Sequence, residues 1–260
     1  MSSALHSRGA NLVCLGGDLP TLNLVSGFDQ GEIDDTFGLP ELWGAANWRV
    51  GSTTRVGDIQ HEHHYDQYRT QARTEMYDDA VSDLDMPYGC QTLFLQDGRG
   101  FVGLALLRGR RNGRCKAETL AGFSRLAHFV DQGVRAEMAL AGEGAHVALG
   151  NYDSISPPLL LLNRLGWLVA TSPAADLALD EGDAVRARGR RIAFVDERLD
   201  RKFWRIAAAL LQPGNAARSI SLAVASGAMR ALHVARIGGD EDALGLHPSL
   251  AVRLDYGPAS

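Results

Sequence analysis

Apolar and polar positions divide the chain into short, well-punctuated stretches. Asn11 to Leu15 and Leu22 to Val25 are apolar runs flanking Gly16-Gly17-Asp18 and Pro20, a pattern that predicts two short strands around a turn. The ten residues before them are small and polar and predict a ragged start, and the acidic, turn-rich segment from Gly27 to Pro40 predicts a loop or short helix. Asp58 to Val81 places Ile59, His63, Tyr65 (in part), Tyr68, Ala72, Met76 and Ala80 at approximately helical spacing, so one helix is expected there. Gln91 to Leu95, the turn Gln96-Asp97-Gly98 and the apolar run Phe101 to Leu107 predict a hairpin whose second strand is covered on both faces. From Lys116 to Ala141, the residues Leu120, Phe123, Leu126 with Ala127, Val130, Val134 and Met138 form one stripe, which is a helix of about 25 residues and roughly 37 Å. Gly142 and Gly144 are expected to end it.

The second half repeats the style in smaller units. Ser154 to Pro158 predicts a linker, Leu159 to Leu162 and Trp167 to Ala170 a strand pair around Arg164-Leu165-Gly166, and Ser172-Pro173 the start of a short helix. Val185 to Phe194 predicts a strand pair turning at Gly189. Asp200 to Leu211 predicts a helix with Phe203, Ile206, Ala207 and Leu210 on one face. Three strands are expected at Ser219 to Val224, Met229 to Ala235 and Leu250 to Tyr256.

Charge divides the chain unevenly. Residues 1–144 hold 13 Lys and Arg against 19 Asp and Glu, a net of -6, whereas residues 145–260 hold 13 against 12, a net of +1. Nonspecific nucleic-acid binding needs clustered cations. The one cluster, Arg108, Arg110, Arg111, Arg114 and Lys116, lies between a strand and a helix and reads as a solvated loop. Cys14, Cys90 and Cys115 form no CxxC pair, which fits neither a zinc knuckle nor a redox dithiol and suits a reducing compartment. Cys90 reads as a buried strand residue. No apolar run reaches the length of a membrane span, and the first residues lack a signal-peptide core, so a cytoplasmic protein with no membrane partner is expected.

Chemistry-bearing motifs are sparse. There is no G-x-S-x-G. Gly98-Arg99-Gly100 lacks the further glycine and helix of a phosphate loop, and Gly238-Gly239 with Asp240, Glu241 and Asp242 reads as an acidic loop. His61-Glu62-His63-His64 sets two histidines at i, i+3, but Asp66 stands where an HExxH motif needs histidine. A polar helix face is the simpler account. A metal-dependent hydrolase using His61, His64 and Glu62 is the alternative. No cofactor, no metal site and no catalytic residue is expected. Trp43 and Trp48, two of four tryptophans, form a wall for either a core or a ligand.

The run GCQT-LFLQD-GRG-FVGLALLR, a loop, and then TLAGFSRLAHFV through Gly133-Val134-Arg135 resembles the GAF-like sensory region of bacterial LuxR-type helix-turn-helix transcription regulators. Asn47-Trp48-Arg49 and His61 to Tyr68 sit where that family has similar aromatic, basic and acidic residues. LLLNRLGWLVATSPAAD and EGDAVRARGRRIAF resemble the opening of a PAS domain. The resemblance covers about residues 40–256. Asn163 stands where an aspartate is usual, and Cys115 at the expected helix N-cap.

The resemblance implies an α+β chain of two small antiparallel-sheet sensor domains joined by the long helix, GAF-like over 1–144 and PAS-like over 145–260. It implies a non-enzymatic regulator that binds a small-molecule effector and relays the signal through a homodimer formed by Lys116 to Ala141. DNA would be contacted only through a helix-turn-helix expected after residue 256 and outside this chain. The implied ligand wall is Trp43, Trp48, His64, Tyr65 and Tyr68.

Overall fold

The computed structural model describes residues 7–16, 19, 22–29, 31, 47–53, 55–72, 74–97, 100–149, 157–212, 215, 217–226, 229–237 and 244–256. Trp43, most of the acidic segment to Pro40, the Gly98-Arg99 turn, the start of the expected linker at Ser154 and the loop at Gly238-Gly239 lie outside them.

The chain is α+β, with two antiparallel sheets of five strands and a long helix between them in sequence. It divides into two compact units: Met1–Val13, Asn23–Gln96 and Phe101–Gly133 form the first, and Cys14–Leu22, Asp97–Gly100 and Val134–Ser260 the second. The division falls inside the long helix.

In the first unit, β1 (Gly9–Gly16) and β2 (Leu22–Ser26) open the sheet. β3 (Gln60–His61), β4 (Tyr88–Asp97) and β5 (Gly100–Arg108) complete it in the order β2-β1-β5-β4-β3. All nine residues of β5 are buried, as its near-continuous apolar run requires. Three short helices accompany the sheet: α1 (Trp48–Gly51), α2 (Glu62–Arg69) and α3 (Glu75–Asp83). The single helix expected over Asp58 to Val81 is therefore three elements. Gln60 and His61 pair with Gln91 and Cys90 at the sheet edge, which fixes extended backbone before Glu62. A second break follows Arg69, where Gln71 N–H turns back to the Tyr68 carbonyl.

The long helix is α4 (Ala117–Leu149), 33 residues and so about 50 Å. It starts one residue after Lys116, whose carbonyl accepts from Leu120 N–H, so Cys115 is not its N-cap. It also runs past Gly142 and Gly144. Neither glycine has positive φ, and Ala145 and Leu149 are buried with Leu161 and Ala170, which sustains the last turns. Of the predicted stripe, Phe123, Ala127 and Val134 are buried within the chain. A different face is open: Phe129 is 69% exposed, Leu140 62% and Val147 75%. Half-buried Leu126 and exposed Gly133 and Ala136 share this face at alternating three- and four-residue spacing, and exposed Glu143 interrupts it.

The second unit has β6 (Leu159–Asn163), β7 (Leu168–Thr171), β10 (Ser219–Ser226), β11 (Met229–Arg236) and β12 (Pro248–Tyr256) in the order β10-β11-β12-β6-β7. The hairpin β8 (Val185–Arg188) and β9 (Arg191–Phe194) stands apart. With that hairpin set aside, both large sheets have one order: the second strand, the first, the fifth, the fourth, the third. The chain thus repeats one topology, with different connections. Between β7 and β10 run α5 (Pro173–Glu181) and α6 (Glu197–Leu211).

Ser172 caps α5 through Ala175 N–H with Pro173 in the first turn, and Gly182 ends it in the left-handed conformation. Asp196 caps α6, which buries Leu199, Phe203, Ala207 and Leu210 against the sheet residues Leu160, Leu232, Val252 and Leu254.

Asn163 is buried at the β6–β7 turn of the second unit. Its Oδ1 accepts from the backbone N–H groups of Leu165 (3.0 Å) and Trp167 (2.9 Å) and closes the β6–β7 turn. An amide oxygen serves as well as a carboxylate here. Asn163→Ala strands two buried donors and is expected to cost about 1–3 kcal/mol, read by urea denaturation, while Asn163→Asp stays near wild type.

Candidate functional site

The first unit contains a cavity of ≈ 60 Å³, lined by residues of β1, α1, α3, β4 and β5 together with Asn47 and Met86. A single water needs about 10–15 Å³, so the space holds several water-sized groups. Asn11, Asn47, Arg49, Tyr77, Gln91 and Thr92 bring polar atoms to it, and Phe101, Leu104 and Leu107 give it an apolar wall.

Arg49 is the unusual member. Asn47 caps α1, its Oδ1 accepting from Arg49 and Val50 N–H at 3.1 Å each. This turn places Trp48 and Arg49 inward; Arg49 is only 4% exposed. Its Nη1 donates to the Tyr77 hydroxyl (3.0 Å), and its Nη2 donates to the carbonyls of Met86 (2.6 Å) and Tyr88 (3.2 Å). Its guanidinium lies 4.3 Å from the Trp48 ring centroid. Gln91 Nε2 donates to the Arg49 carbonyl and, at 2.9 Å, to Thr53 Oγ1. Arg49 Nε is buried and has no hydrogen-bond acceptor among the described residues.

The four described residues of the expected ligand wall sit elsewhere in this unit. Trp48 is buried, packs on Tyr65 (4.7 Å between centroids) and Tyr77 (5.2 Å), and donates from Nε1 to Asp78 Oδ1 at 3.0 Å. Tyr65 is buried, its hydroxyl donating to the Gln60 carbonyl, and burial pushes its phenol well above the usual range. Tyr68 is half-buried at the edge of this cluster, beside Gly51, where any side chain would meet its ring. His64 is on α2, its Nδ1 accepting from His61 N–H at 3.2 Å. None of these four lines the cavity.

The histidine cluster therefore acts at the start of α2. His61, His63 and His64 have neighbouring rings, with His61 and His64 centroids 4.8 Å apart. Glu62 is buried, and its Oε1 accepts from Gly89 N–H (3.1 Å) and Cys115 N–H (2.8 Å). Gly89 is obligatory: its φ is 144° and a Cβ would collide with the Leu106 carbonyl. Among the described residues no group of three or more His, Cys, Asp or Glu is arranged to hold a metal ion.

Burial, followed by the neighbouring His61, holds the His64 imidazole below its ordinary 6.5. A lowered histidine pKa means that the folded chain binds fewer protons than the unfolded one. Stability is then complete above about pH 6.5 and falls as pH drops towards the folded pKa, because protonated Nδ1 cannot accept from His61. Melting temperatures across this window are expected to decline less steeply in His64→Gln.

The cationic cluster is not a free patch. Arg108 is buried and donates to the carbonyls of Gly113 and Asn112, correcting its reading as a solvated loop residue. Arg110 pairs with Asp85 (3.3 Å) and Arg114 with Asp66 (2.8 Å). Cys90 is buried in β4, where a hydrogen bond with Cys115, then burial, pushes its thiol far up.

The second unit holds a polar row that sequence spacing conceals. Ser221 Oγ lies 2.6 Å from His233 Nδ1, and His233 Nε2 lies 2.8 Å from Asp255 Oδ2. Strand register makes the row, since Ser221 faces His233, and His233 faces Arg253. Both Asp255 oxygens also accept from Arg253, which, ahead of His233, holds that carboxyl below its usual range. This is cross-strand pairing of the kind that stabilises a sheet.

Compared with known proteins, the chain matches no family model and no curated relative. Among the described residues, no helix is long and apolar enough to cross a membrane.

Proposed function

We propose that the chain is the ligand-sensing regulatory region of a LuxR-type transcriptional regulator, cytoplasmic and non-enzymatic. It binds a small molecule in its first, GAF-like unit and relays the signal through a dimer of α4, past its PAS-like second unit, to a DNA-binding domain. The observation that carries this reading is the cavity of the first unit, which combines an apolar wall with a few inward polar groups, the composition of small-molecule sites. Two further features support it. The sheet topology recurs in both units, as tandem sensor domains require. The cavity-bearing unit also continues unbroken into α4, whose open apolar face suits a second copy of the same helix. A ligand shifts such a device only by binding one packing of the helix better than another.

A thermal-shift screen of small anionic, neutral and cationic compounds tests the sensing step. Hits are expected with the wild type and should disappear in Ala105→Leu, which adds bulk at a cavity-lining position. A screen without a hit contradicts the reading.

A further inference from the structure

We infer that Cys90 and Cys115 form a redox site, at which a hydroperoxide converts the two thiols into a reversible disulfide tying β4 to the start of α4. Far apart in the chain and without a CxxC spacing, these cysteines do not read as a pair in the sequence; the fold brings them together. Glu62 Oε1 is their meeting point. It accepts from Cys115 N–H at 2.8 Å and from the N–H of Gly89, the residue before Cys90, at 3.1 Å. Arg108 braces the loop between β5 and α4, donating from Nε to the Gly113 carbonyl (3.0 Å) and from Nη2 to that of Asn112 (2.6 Å). Arg114 anchors the same loop to Asp66 on α2 at 2.8 Å. The backbone on both sides is therefore fixed, and the two thiols are hydrogen-bonded to each other. A disulfide requires that this contact shorten to a bond.

The two sulfurs differ in access. Cys90 is buried in β4, whereas Cys115 is half-buried on the loop. The hydrogen bond with Cys115, then burial, keeps the Cys90 thiol protonated, so Cys90 S–H donates and the Cys115 sulfur accepts. Cys115 is thus the thiol that a peroxide meets first.

Its thiolate attacks one oxygen of the hydroperoxide and the O–O bond breaks. The other oxygen takes the proton that Cys115 gave up and leaves as water or an alcohol, and Cys115 becomes a sulfenic acid. The Cys90 sulfur then attacks the Cys115 sulfur. The S–O bond breaks, and the departing hydroxide leaves as water with the Cys90 proton. The thiols lose two electrons and two protons, and the peroxide takes up both. The new bond closes two residues before Ala117, where α4 begins. Cys14, on β1, serves as an internal control.

The test treats the reduced 260-residue chain with a small molar excess of hydrogen peroxide, alkylates it in denaturant and maps its peptides without reductant. One Cys90–Cys115 cross-link within a single chain is expected, with a mass lower by about 2 Da that dithiothreitol restores. Cys14 should stay alkylatable. Cys90→Ala should stop the reaction at a Cys115 sulfenic acid that dimedone traps, and Cys115→Ser should leave Cys90 unmodified. A wild-type chain that keeps all three thiols overturns the site. So does Cys115 oxidised without Cys90, or a disulfide formed only between chains. The mapping of the wild type needs neither variant to fold.

Discussion

Trp48→Ala is expected to destabilise the chain by about 3–5 kcal/mol, a large share of the ~5–15 kcal/mol that holds a domain folded. The indole is buried, and it is the hub of the first unit's aromatic cluster. It packs on Tyr65 and Tyr77 and under the Arg49 guanidinium, and its Nε1–H reaches Asp78. Asp78 in turn accepts from Thr74 and pairs with Arg69, so one carboxylate joins α1, α2 and α3. Removing the ring opens a void and frees the cation that it partly screens. Trp48→Phe keeps most of the packing and forfeits the Asp78 bond, so a much smaller loss is expected. Urea denaturation followed by far-UV circular dichroism separates the two. A Trp48→Ala chain of near-wild-type stability that no longer binds ligand would instead make Trp48 a ligand contact.

Glu62→Ala should cost about 2–4 kcal/mol, because two backbone N–H groups, of Gly89 and Cys115, lose one charged acceptor. The bond to Cys115 matters most for the proposed relay. It fixes the chain two residues before α4 begins, and the bond to Gly89 fixes the start of β4. Both donors reach the same oxygen, Oε1, which a glutamine retains. Glu62→Gln is therefore expected to recover most of the stability. That pattern marks a structural clamp, since a general base would lose its function in the glutamine variant as fully as in alanine.

Much of the fold was legible in the residues. β5 announces itself as an unbroken apolar run, α5 by Ser172-Pro173, and α6 by the spacing of Phe203, Ala207 and Leu210. The split of Asp58 to Val81 was not legible, because a two-residue edge strand has no periodicity of its own; tertiary pairing with Gln91 and Cys90 creates it. The end of α4, at Leu149 and not at Gly142, is hidden in the sequence for a related reason. Glycine stops a helix only where a left-handed residue is needed, and burial of Ala145 and Leu149 outweighs the propensity of Gly142 and Gly144.

The site was partly legible. Asn47-Trp48-Arg49 stands out in the sequence by its aromatic ring, which does not line the cavity. The single charge in an otherwise apolar stretch was the better signal, since a buried cation must be compensated. Gln91 and Thr92, polar in a strand of buried residues, carried a similar hint. The row Ser221, His233 and Asp255 depends on strand register, which spacing along the chain does not encode.

Sedimentation velocity of the 260-residue chain at high micromolar concentration tests the relay most directly. The open face of α4 predicts a dimer, which Phe129→Glu combined with Leu140→Glu converts to a monomer with an unchanged far-UV spectrum. A wild-type chain that sediments as a monomer, with or without bound small molecule, contradicts the account.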